Sequence, residues 1–310
     1  MIQIPEGFAR STAEREGGPG AAWLAELPAI VAELLDRWGC VPDGEVMHGG
    51  VGVIVPVRRR TGASAVLKVS FPHPGNVHEP DAFAAWGGRG AVLLYERADE
   101  RFAMLLERAR GTTLAEVADG DEVVTIAGRL NRRLAVPAPP GLPRLREQAD
   151  AWEEQLRRDA AELGHALPPY ALDSAAATVR ELGRGQPDLL IHGDLHPGNI
   201  LRAEREPWLA VDPKGHAGDP AHDAGTLLKS RALTLLEAGD LPKAVDRLLD
   251  VFAEAAELDR ERVRRWCQLH AVQAAFWGRR HGFRIAPSGP RLDWLTEFAD
   301  HLAELLTEGR

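Results

Sequence analysis

The stretch that most narrows the fold is residues 51–71. "VGVIVPV" and "SAVLKVSF" are rich in Val and Ile and flank "RRRTG", a turn signal, so they read as an antiparallel hairpin. "AVLLYERADERFAMLLERARG" reads as two more strands joined by a charged turn, and "HEPDAFAAWGGRG" between the pairs as a short helix ended by glycines. Ahead of them, Trp23, Leu27, Ile30, Leu34 and Trp38 recur at spacings of three and four, an amphipathic helix stopped by Gly39, with Pro28 bending it or marking its first turn.

After residue 110 the period becomes helical. "DGDEVVTIAGRLNRRLA", then a proline-rich connector "VPAPPGLPRL", then "LREQADAWEEQLRRDAAELG" and "ALDSAAATVRELGRG" lead to further helices at 221–234, 242–257, 260–281 and 291–307. Two short strands, "NILRA" and "PWLAVD", interrupt the series. The expected fold is α+β with two lobes: residues 1–108, β-rich with a leading helix, and residues 109–310, mainly helical.

Composition removes several function classes. The 310 residues carry a formal net charge of −9 and no basic stretch, which argues against nucleic acid as a partner. No apolar run approaches the roughly 18 residues of a membrane span, and the first residues contain no apolar signal-peptide core. No protein partner is implied. Cys40 and Cys267 form no metal or redox pattern, so free thiols in a cytoplasmic protein are expected. Lysines are scarce: Lys68, Lys214, Lys229 and Lys243. Each needs a reason, and Lys68 lies inside a strand.

"LLIHGDLHPGNILRAEREPWLAVDPKG", residues 189–215, admits two chemistries. His192, Asp194 and His196 alternate as zinc ligands on a strand would, but "HPGN" breaks a strand, and only His216 and His222 lie near enough to complete a set. The alternative is phosphoryl transfer. His192, then Asp194, then Asn199 five residues later match the kinase loop in which the Asp accepts the hydroxyl proton and the Asn binds magnesium. Asp212, after a strand, is placed as the second metal carboxylate. This reading requires a strand lysine on the phosphates and a helix glutamate to hold it, and Lys68 and Glu79 are so placed. It also requires a glycine turn, met by Gly49, Gly50 and Gly52. The hinge strand "MLLERARG" should offer backbone groups to adenine, at Glu107 and Ala109. Each feature alone is weak, since a strand lysine is usually solvated and glycines often only turn a hairpin. Together, in order, they are specific. His192 is expected to bond the backbone, Asp219 and Asp223 to brace the loop and cap a helix, and Trp266 and Trp277 to pack in the core.

"HGDLHPGN" and "VDPKGHAGDPAHD", with "AWGGRGAVLLYE", "FAMLLERARG", "LNRRLAVPAPPGL" and "REPWLAVDP", resemble the aminoglycoside phosphotransferase family, in the branch of streptomycin 6-kinases and hydroxyurea phosphotransferases. The resemblance implies a protein-kinase-like fold, ATP with magnesium, and γ-phosphoryl transfer to a small-molecule hydroxyl. On it, Asp194 is the base, Asn199 and Asp212 the magnesium ligands, and Lys68 the phosphate contact. Unlike protein kinases, the chain has no Arg before Asp194 and no long segment ending in A-P-E. It thus lacks the physical handle for control by phosphorylation. The expected acceptor is an aminoglycoside such as streptomycin, making the chain an antibiotic kinase. The rivals are hydroxyurea or another metabolite, and an inactive nucleotide-binding fold. A cationic sugar would be met by carboxylates from Glu261, Asp293, Glu297 and Asp300.

Overall fold

The computed structural model describes residues 2–163, 167–283 and 289–308. The chain forms two compact units, Met1–Gly111 with Leu201–Lys214, and Thr112–Ile200 with Gly215–Arg310.

In the first unit, helix α1 (Glu6–Arg37) leads into an antiparallel sheet. Its strands are β1 (Cys40–Pro42), β2 (Met47–His48), β3 (Gly52–Arg59), β4 (Ser64–Ser70), β5 (Leu94–Ala98) and β6 (Ala103–Glu107), in the order β1-β3-β4-β6-β5, with β2 also on β3. Helix α2 (Glu79–Trp86) crosses between β4 and β5 and ends on Gly87 in the left-handed conformation. The hairpin register, Gly52 opposite Ser70 and Arg58 opposite Ser64, fixes which side chains share a face. Val53, Val55, Val57, Ala65, Leu67, Val69 and Leu105 turn to one face and pack on Leu27, Val31 and Leu34 of α1. Lys68 therefore turns to the other face, between Ile54 and Met104.

The leading helix is longer than its apolar spacing suggested. Pro28 lies within it, and the interruption falls at Gly17, where φ is 62° and ψ −138°. Only glycine adopts that conformation readily, and Pro19, with no N–H to leave unpaired, falls in the first turn beyond it.

Residues 201–214 depart from the single cut expected at 108. They hold most of a two-stranded ribbon, Ile200–Arg202 with Trp208–Ala210, of which all but Ile200 belongs with the first unit. Ala210 N–H donates to Gly90 (2.9 Å), Val92 N–H to Ala210 (3.2 Å) and Arg110 N–H to Arg202 (2.7 Å). Arg205 fastens the ribbon further, donating to Glu107 and to the carbonyls of Gly88 and Ala91, both at 2.8 Å.

The second unit consists of α3 (Gly120–Leu134), α4 (Ala149–Glu162), α5 (Pro169–Thr178), α6 (Asp223–Ser230), α7 (Ala232–Leu236), α8 (Leu241–Ala256), α9 (Arg260–His281) and α10 (Pro290–Glu308). α9 is its axis: it packs on α5, α6, α8 and α10 and buries Val263, Trp266, Cys267, Val272 and Phe276. Arg231 divides the helix expected over 221–234 into α6 and α7. Trp266 is in the core as expected, but Trp277 is 62% exposed although its neighbours Phe276 and Gly278 are buried. Strands Leu189–Ile191 and His216–Gly218, too short to show a period, pair antiparallel and bracket the motif. Both cysteines are buried free thiols. Among the described residues, no helix is long and apolar enough to cross a membrane.

Candidate active site

In the first unit, Lys68 Nζ donates to Glu79 Oε1 and to Asp212 Oδ1, each at 2.5 Å. The strand period delivers the lysine, the first turn of α2 delivers Glu79, and Asp212 follows the ribbon with φ at 59°, a left-handed backbone that aims its carboxylate at the ammonium. Lys68 is 7% exposed and Glu79 2%. Burial opposes the charge on Lys68, but Asp212 and Glu79 outweigh it and the pKa lies above its ordinary value. Burial pushes Glu79 up, against the pull of Lys68. The ammonium is thus fixed and charged. Lys214 also acts on Glu79.

The glycine turn joins β2 to β3. Gly49 N–H donates to Gly52 (2.9 Å), and a Cβ on Gly49 would lie 4.0 Å from Asp212 Oδ2. Gly50 is exposed, and a Cβ on it would meet nothing within 4 Å. Gly52 has a reason within the sheet: a Cβ there would come 2.7 Å from the Val69 carbonyl. Glu107 ends β6 with its carboxylate taken by Leu93 N–H (3.0 Å) and Arg205, and Ala109 follows, half-buried, outside the strand.

In the second unit, residues 192–199 form a loop whose backbone is held from within. Asp223, 1% exposed, accepts from His192 N–H (3.1 Å) and Gly193 N–H (2.9 Å). Burial raises its pKa to about 7 even against those two bonds. His192 Nδ1 accepts from Asp194 N–H at 3.2 Å, so the histidine shapes the loop. Asn199 Nδ2 donates to the Asp194 carbonyl at 3.0 Å, which leaves its Oδ1 as the atom to offer a hard cation. Asp219 caps the turn at 220–222 through Ala221 N–H and accepts from Arg262 (2.5 Å) and Trp266 Nε1 (2.6 Å). The zinc reading has no geometry: His192 faces the backbone, His196 Nε2 stands 4.0 Å from Asp194 Oδ1, and no metal-ligating cluster exists among the described residues.

Asp194 opens on a cavity of about 750 Å³ lined among others by Trp152, His196, His216, His222, Lys229 and His270. Of this wall, Trp152 and Lys229 escaped the sequence reading. His222 Nε2 and His270 Nε2 are 3.1 Å apart, and His222 stacks on Trp152 at 14°. Burial lowers both histidines, His222 to about 3, so both are neutral. Lys229 is reached by solvent through the cavity but enclosed on its other sides; that enclosure lowers its pKa, against the opposing charge of Asp194. The expected carboxylates are elsewhere. Glu261 is bound to Arg264, Asp300 to Arg279, and Asp293 and Glu297 are exposed on α10. Asp194 is the one carboxylate among the described residues lining this cavity. The arginines on α9 take the nearest acids, and the cavity wall is drawn from α4, α6 and α9.

Comparison with known proteins bears on the family and the fold. Residues 37–282 match the model of the aminoglycoside/hydroxyurea antibiotic resistance kinase family. Streptomycin 6-kinase of Streptomyces griseus is 40% identical over 290 residues, covering 93% of this chain and 94% of that protein. Hydroxyurea phosphotransferase of Kitasatospora aureofaciens is 36% identical over 281 residues, 89% and 80% of the two chains. The crystal structure of aminoglycoside phosphotransferase APH(4)-Ia superposes with a TM-score of 0.57 at 12% identity, covering 92% of this chain and 99% of the other, a likeness of fold.

Proposed function

The chain belongs to the aminoglycoside/hydroxyurea antibiotic resistance kinase family of ATP-dependent small-molecule kinases, and from that premise we propose that it is an O-phosphotransferase with Asp194 as its base. The observation that carries the reading is the buried Lys68 bonded to both Glu79 and Asp212, which fixes one positive charge where phosphate oxygens need it. Asp194 takes the proton of an acceptor hydroxyl as its oxygen bonds to the γ-phosphorus. The bond to the β-phosphate oxygen breaks and ADP leaves. The glycine turn covers the phosphates, and the backbone at Glu107 and Ala109 receives adenine. Asp212 is the carboxylate that would hold magnesium on the first unit, and Asn199 the amide oxygen that would do so on the second. Both are hard oxygen donors, as magnesium prefers. The metal supplies neutralisation of charge on the phosphate oxygens.

For the acceptor, the streptomycin 6-kinase relatives support an aminoglycoside such as streptomycin. A specific observation favours a second reading, a neutral acceptor such as hydroxyurea: the cavity beside Asp194 presents Lys229 and no other carboxylate. The test is a screen of both compounds with γ-labelled ATP and magnesium, run with wild type and Asp194→Asn. Wild type is expected to label one of them. The variant should bind nucleotide normally and turn over about 10² to 10⁴ times more slowly. A variant working at the wild-type rate removes Asp194 from the mechanism.

A further inference from the structure

The glycine turn has a partner outside the sheet. Two of the three residues 49–51 are glycine, and a turn so rich in glycine has little conformational preference of its own. Three contacts from α1 restrain it. The ring of Phe8, 1% exposed, lies 5.4 Å from that of His48, on the strand entering the turn. Trp23 meets Phe71 edge-on at 5.6 Å, and Phe71, just past β4, donates its N–H to the Val51 carbonyl at 2.8 Å, at the far end of the turn. Between these, Arg15 Nη1 donates to the Gly50 carbonyl at 3.0 Å. The break at Gly17, between Arg15 and Trp23, lets one element make all three contacts. The family match begins at residue 37, so these α1 residues lie outside it.

We infer that α1 is a brace for the glycine turn and Arg15 its positioning residue, holding residues 49–51 in the shape that receives the triphosphate. The inference rests on the kinase reading above. A guanidinium bonded to a peptide carbonyl of the turn needs no nucleotide to make its contact, so the brace should act before binding. Its loss should appear as weaker nucleotide binding, with the acceptor side untouched.

The experiment compares wild type, Arg15→Ala and Arg15→Lys. Hydrogen exchange is measured without nucleotide, and KM is measured for Mg-ATP and for the acceptor. Arg15→Ala should speed exchange at the amides of residues 50–52, leave the centres of β3 and β4 unchanged, and raise KM for ATP about five- to tenfold. KM for the acceptor and the melting temperature should hold. Arg15→Lys, which keeps a charged donor, should recover part of the loss. Unchanged exchange with a raised KM would mean that Arg15 meets the phosphates directly, and overturns the brace. Unchanged KM for ATP overturns it as well, as does a parallel rise in both KM values with a lowered melting temperature. Wild type that binds no nucleotide would sink the kinase reading instead.

Discussion

Replacing Asp223 with Asn should remove the pH dependence that this one carboxyl imposes on the helical unit. The folded chain holds its proton more tightly than the unfolded chain does, because burial raises the pKa from 3.8 to about 7. The sign follows: between those values the native state binds more protons, so stability is full below the unfolded pKa and is lost as pH rises toward 7. The span corresponds to roughly 4 kcal/mol. Asn cannot titrate. It also offers one acceptor oxygen in place of two, so either His192 N–H or Gly193 N–H goes unpaired, at about 1–3 kcal/mol at every pH. Asp223→Asn should therefore be the less stable protein at pH 5 and should equal or exceed wild type at pH 8. Urea titrations at the two pH values, followed by tryptophan fluorescence, measure this. kcat at pH 8 should fall about tenfold or more despite the gain in stability, because the backbone leading to Asp194 loses an anchor. A stability difference that is the same at both pH values would refute the argument.

Other perturbations test the small unit. Lys68→Met leaves Glu79 buried and uncompensated and should destabilise by about 3–5 kcal/mol; adding Glu79→Gln should restore much of that in a thermal melt without restoring activity. Gly52→Ala puts a Cβ 2.7 Å from the Val69 carbonyl, and should cost about 1–3 kcal/mol by forcing β3 from β4, read as a lower urea midpoint. Asp212→Ala should weaken Mg-nucleotide binding by calorimetry more than it weakens binding of nucleotide without metal. Equal losses would leave Asp212 only its bond to Lys68.

What could be read before the structure was whatever depends on local spacing. A strand alternates, so Lys68 in "AVLKVS" had to leave the face that Leu67 and Val69 bury, and "HGDLHPGN" carries its loop in its own glycines and proline. What could not be read depends on partners far along the chain. "NILRA" and "PWLAVD" were legible as strands, but nothing local says that Ala210 bonds to Gly90 and Val92 or that Arg205 reaches Glu107, 98 residues away. The acceptor wall is the sharper case. Glu261 and Asp300 were expected to face a cationic sugar because they sit on helices that follow the catalytic loop. Each has an arginine one helical turn away or on the packed neighbour, Arg264 for the first and Arg279 for the second, and the pairs close on themselves. In a chain whose basic residues are nearly all arginine, a helical carboxylate is more readily taken by a guanidinium fork than left for a ligand. The cation that does face Asp194 is one of only four lysines, Lys229. Lys68 is held by Glu79 and Asp212, whereas Lys229 lies on the wall of the cavity that Asp194 also lines. Lys229→Glu should therefore lower KM for a cationic acceptor and raise it for none that is neutral. Equal KM for streptomycin in the two proteins would show that Lys229 does not face the acceptor at all.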